Sequence, residues 1–145
     1  MNYRIFPKNI ALAASFLFVA WVASPMTYAA DQDMASSMLG TWVGTSDGYE
    51  GDRVATGFEK IVISEVNGRA ALGTWQYRKK SDEPWSAPIR ATFTVFPNDA
   101  SGYVVAGADS GGIYTGELSA EGELTLGYMQ TTRQPMVLQF RLSKQ

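Results

Sequence analysis

From Gly40 onward the chain alternates apolar and polar residues with a period of two, in short runs broken by Gly, Asn, Asp, Ser and Pro. Such a period marks a strand with one buried face, because successive side chains leave a pleated backbone on opposite sides. The pattern predicts eight strands. The first covers residues 40–45. The second covers 57–66, with Glu59, Ile61, Ile63 and Glu65 on one side and Lys60, Val62, Ser64 and Val66 on the other. Asn67-Gly68 then predicts a type I′ hairpin, in which both central residues need positive φ. The remaining strands cover 69–77, 89–96, 103–108, 113–118, 123–130 and 136–143. No stretch from Ala30 onward has helical periodicity.

Strands joined in sequence by hairpin-length connections form a meander, and a meander hides both of its edges by closing on itself. The expected fold is therefore all-β, an eight-stranded antiparallel up-and-down barrel over residues 39–145. Ile89, Phe93, Val95, Leu126, Leu138 and Phe140 should point inward. A two-sheet sandwich competes, but the pattern calls for no Greek-key crossover. The longest connections, 46–55 and 78–88, both fall at the same end, which predicts a loop-built mouth there and tight turns at the other end.

The segment before the barrel reads differently. Arg4 and Lys8 precede an apolar run, residues 10–23, that is short for a membrane span. Thr27-Tyr28-Ala29 supplies small residues at the −3 and −1 positions of a cleavage site. Residues 1–29 are thus expected to be a signal peptide, residues 30–38 a flexible tail, and the product exported to the periplasm or medium, with no membrane span once the leader is removed. Loss of the leader takes the net charge from −2 to more negative still, which argues against nucleic acid as a partner.

The chain has no cysteine and no histidine. No disulfide framework, Ser-His-Asp triad or ordinary zinc site can be built, and nothing calls for a cofactor. Asp109-Ser110-Gly111-Gly112 has the look of a protease nucleophile segment, but without a histidine it reads as a Gly-rich turn. Asp47, Glu50 and Asp52 lack the spacing of a calcium loop. Glu59, Glu65, Glu117 and Glu123 read as carboxylates on a solvated outer face. The candidate ligand site is the barrel interior, where Trp42, Trp75, Tyr77 and Tyr114 are the aromatic candidates. Arg53 and Arg133, among the cations near the mouth, would capture an anionic head group.

Leu39-Gly40-Thr41-Trp42 at the start of the first strand, with Arg141 in the last, resembles the calycin signature. In lipocalins and avidins a Gly-x-Trp tryptophan plugs the barrel base and a terminal-strand cation packs over it. The short, helix-free chain is most similar to the avidin branch. Biotin-binding avidins carry Asn two residues after that tryptophan, where this chain has Gly44, so the resemblance implies the fold and not biotin.

Three function classes follow. The first is an exported barrel that binds a small apolar or amphiphilic molecule inside. The second is a protein-interaction barrel, specifically an inhibitor of a periplasmic protease, with a homo-oligomer as a separate partner reading. Residues 35–42 (ASSMLGTW) are similar to the Ser-Ser…Gly-x-Trp start of barrel inhibitors of bacterial metalloproteases, whose tail enters the protease cleft, although those inhibitors carry a disulfide. The third is a cofactor-free cyclase or isomerase, for which no catalytic pair stands out.

Overall fold

The computed structural model describes residues 35–98, 102–130, 132 and 134–145. The expected leader and residues 30–34 of the tail lie outside the described residues. Eight antiparallel strands follow one another in chain order: β1 (Gly40–Glu50), β2 (Arg53–Asn67), β3 (Ala70–Arg78), β4 (Ile89–Asn98), β5 (Gly102–Asp109), β6 (Gly112–Leu118), β7 (Glu123–Gln130) and β8 (Met136–Lys144). Each pairs with its sequence neighbour, and β8 returns to β1, so the sheet is a closed barrel. Closure leaves no free edge, and the sandwich is ruled out.

The period-two pattern sorts the residues as expected. Ala91, Phe93 and Val95 of β4, Leu124, Leu126 and Tyr128 of β7, and Leu138, Phe140 and Leu142 of β8 are buried in one core. Ile89 packs against it half-buried. Closure depends on two glycines of β1. A Cβ on Gly44 would lie 1.8 Å from the Arg141 carbonyl oxygen, and one on Gly48 would lie 2.0 Å from that of Val137. Only a residue without a side chain lets β8 pass this close. The same contact explains why Gly44 cannot carry the avidin asparagine.

The backbone departs from the sequence pattern in four places. Residues 46–55 are not a loop: β1 and β2 stay paired as far as Glu50 and Arg53, leaving Gly51-Asp52 as the turn. Between Ile63 and Glu65 the β2–β3 register shifts by one residue. This bulge at Ser64 exchanges the two faces beyond it: Glu65 turns out, and Val66 packs partly buried against the core. The same shift moves the hairpin, so that Asn67 pairs with Ala70 and the turn residues are Gly68 and Arg69. Gly68 has the expected positive φ, 59°. Lastly, residues 35–38 form one helical turn rather than a tail.

That turn closes the base. Ala35 and Met38 are fully buried, and the Trp42 Nε1–H donates to the Met38 carbonyl at 2.8 Å. The cation over Trp42 is Lys144 and not Arg141. Its Nζ lies 5.7 Å from the ring centroid and donates to the Ser37 carbonyl at 3.0 Å. Trp42 pairs with Lys144 across β1 and β8, while Arg141 pairs with Thr45 and holds Asp47 in an exposed ion pair at 2.9 Å.

Candidate functional site: the mouth cavity

Above the base, aromatic rings fill the middle of the barrel. Trp75 (β3), Tyr114 (β6), Tyr128 (β7) and Phe140 (β8) contact one another with centroids 4.8–6.2 Å apart. Phe93 closes the cluster against Tyr114 at 5.4 Å. Each sits at an inward position of its strand, where alternation demands a large apolar group to fill the lumen of an eight-stranded barrel. The Tyr114 hydroxyl donates to Asp109 Oδ2. Asp109 Oδ1 meanwhile accepts from the backbone N–H groups of Gly111 and Gly112 at 2.6 and 2.8 Å, which makes residues 109–112 the turn that the sequence predicts. Burial first, and then the Asp109 carboxylate, push the Tyr114 hydroxyl far above the usual phenol range. The same two causes raise Tyr128 to about 12.

On the mouth side of this layer lies a cavity of about 520 Å³, within the size range of small-molecule sites. Trp75, Ile89, Met136 and Leu138 form its apolar wall, while Glu50, Tyr77, Arg78 and Lys79 are among the groups at its rim. In its lining, beside the buried Ser46, sits Glu59. This residue is only 2 % exposed. Its Oε1 accepts from Ser46 Oγ and its Oε2 from Trp75 Nε1, both at 2.6 Å, the short range of charge-assisted bonds. Burial pushes its carboxyl up to about 7 against the opposing pull of the Ser46 and Trp75 hydrogen bonds.

Glu59 is the largest departure from the sequence reading, which put it on the solvated face. The signal was nevertheless in the alternation, since Glu59 shares its side of β2 with Ile61 and Ile63, both buried. Parity, and not charge type, decides where this strand residue points.

Of the six candidate ligand contacts, the structure brings two together. Trp75 lies in the cavity wall and Tyr77 at its rim. Tyr114 is in the filled layer beneath, and Trp42 is at the base. Arg53 is exposed at the β1–β2 turn and does not line the cavity. Arg133 lies outside the described residues. The long connection 79–88 does not cover the mouth. It docks on the outer wall, where Trp85 receives Arg78 at 4.4 Å and Lys60 at 4.8 Å from its ring centroid. Ser86 holds this position, its N–H donating to the Tyr77 carbonyl and its own carbonyl accepting from Gln76 Nε2.

No protein-family model matches the chain, and no curated protein matches it in sequence. Among solved structures it is similar to Rv2717c from M. tuberculosis, at 18 % identity and a TM-score of 0.45, over 76 % of this chain and 94 % of that one.

Proposed function

We propose that this protein is an exported barrel that takes a small amphiphilic molecule into the mouth cavity. One observation carries the reading. The upper lumen opens above the packed aromatic layer, and its lining combines an apolar wall with a buried carboxyl group. Apolar burial at about 25 cal/mol per Å² lets a ligand that hides a few hundred Å² reach micromolar affinity. The experiment is titration of an uncharged solvatochromic dye into the barrel domain, read by dye emission and tryptophan quenching. Saturable binding is expected, and Ala55→Trp, which fills the cavity from its wall, should abolish it. Absence of saturable binding in the unmodified protein would refute the reading.

A second reading, a protein-interaction barrel, is favoured by a different feature. Val54, Tyr49, Val137, Met129 and Ile113 are successive cross-strand partners from β2 through β6 by way of the β1–β8 seam. All five are exposed, which makes one continuous apolar row on the outer wall near the mouth. Sedimentation analysis that shows a monomer at high micromolar concentration would count against self-association through this face.

A further inference from the structure

Resting on the reading of the cavity as a ligand site, we propose that Glu59 anchors the ligand and that the ligand is a small organic cation, an amphiphile with a protonated amine at its inner end. The argument begins with what Glu59 lacks. Each carboxylate oxygen accepts one hydrogen bond, from Ser46 on one side and Trp75 on the other, and each retains acceptor capacity. Two neutral donors hold the group in place but leave its charge uncompensated, and a buried carboxylate needs a counter-charge.

Among the described residues none supplies it. From β1 the neighbouring groups are Ser46 and, at the rim, the acidic Glu50. From β3 they are Trp75, Tyr77 and Arg78, followed by the exposed Lys79. The Arg78 guanidinium is turned to the outer wall, 4.4 Å from the Trp85 centroid and 5.5 Å from that of Phe58. From β6 the near group is Tyr114, whose hydroxyl is committed to Asp109. The described lining residues from β7, β8 and their connection are Gln130, Gln134, Met136 and Leu138, none of them charged; Arg133 of that connection lies outside the described residues.

An ammonium fits this arrangement. It brings the missing charge and three N–H donors for the free acceptor positions of the carboxylate, while its alkyl stem lies along Trp75, Ile89 and Leu138. A ligand carboxylate would instead set two like charges side by side. The lining thus reverses the preference for anions that the mouth cations suggested in the sequence. A proton linkage follows. The raised pKa leaves Glu59 about half protonated near pH 7 in the empty cavity, and only its carboxylate form pairs with an ammonium. Binding below that pH must release a proton to solvent.

The test compares n-octylamine, octanoate and n-octanol in titrations of the barrel domain followed by tryptophan fluorescence. Octylamine is expected to bind at least tenfold more tightly than either analogue at pH 8. Its affinity should fall about tenfold per pH unit below 7, with close to one proton released per amine bound at pH 6 in weakly buffered solution. Glu59→Gln should lose the amine preference and the proton release while keeping its β-type circular dichroism. The pH dependence and proton count of the unmodified protein stand without that variant. If octanoate or octanol binds as tightly as the amine, or amine affinity is flat from pH 6 to 8, Glu59 is not the anchor although the cavity reading survives. If none of the three binds, both fail.

Discussion

Replacing Glu59 by Gln tests the energetics of the site without any ligand. The carboxyl has a pKa of about 7 in the folded chain against an ordinary 4.5. An acid with a raised pKa is favoured by the fold in its neutral form. Its contribution to stability is therefore complete below about pH 4.5, is lost as pH rises towards 7, and changes no further above that. At 1.36 kcal/mol per pKa unit the loss is about 3 kcal/mol. Glutamine does not titrate, and it can keep both contacts. Its Oε1 accepts from Trp75 Nε1, and its Nε2 donates to Ser46 Oγ once the hydroxyl rotates. Glu59→Gln should thus match the parent near pH 4 and exceed its stability by ~3 kcal/mol at pH 8, or roughly 10 °C in Tm. Urea unfolding followed by tryptophan fluorescence from pH 4 to 8.5 measures this. Other titrating groups contribute equally to both proteins and cancel in the difference. A flat difference, or a Gln variant less stable than the parent at pH 8, would refute the claim that ionised Glu59 is an uncompensated charge.

Further outcomes follow from the packing. Phe93→Ala removes a ring that is 2 % exposed and should cost about 3–5 kcal/mol in chemical denaturation; a loss below about 1 kcal/mol would mean that the inward face of β4 is wrongly assigned. Gly44→Ala sets a methyl group against the Arg141 carbonyl. It should open the β1–β8 seam, seen as fast amide hydrogen exchange across Gly44–Leu142, and unchanged protection would contradict the closure argument.

Much of this fold was legible because the strands are amphipathic, and alternation in β4, β7 and β8 is read directly as inside and outside. Apart from Glu59, the departures from the sequence pattern come from interactions that alternation cannot encode. The Ser64 bulge adds one residue without altering local propensity, so alternation alone sets Glu65 beside Ile61 and Ile63 and Val66 opposite, while the reading of Glu65 as a solvated carboxylate holds. Residues 46–55 look like a loop because Asp47, Gly48 and Glu50 are poor strand formers. They are held extended by pairing with β8, a contact between segments roughly ninety positions apart. The cation over Trp42 depended on that same long-range register, which selects Lys144 over Arg141. In the site, Trp75 and Tyr77 were found by residue type. Glu59 is not legible by residue type, because a charged side chain is ordinarily solvated.

The closed base has a consequence for how the barrel can be presented. The Gln145 N–H donates to the Thr41 carbonyl at 2.9 Å, and Lys144 reaches the carbonyl of Ser37, so the chain enters and leaves the barrel at one pole while the cavity opens at the other. A tether, tag or fused domain joined directly before Ala35 or after Gln145 starts a full strand length from the opening. Immobilised through either end on a bead or a sensor chip, the domain would point its mouth into solution, and both attachments should leave ligand access equal. The barrel is in effect a cup with its handle under the foot.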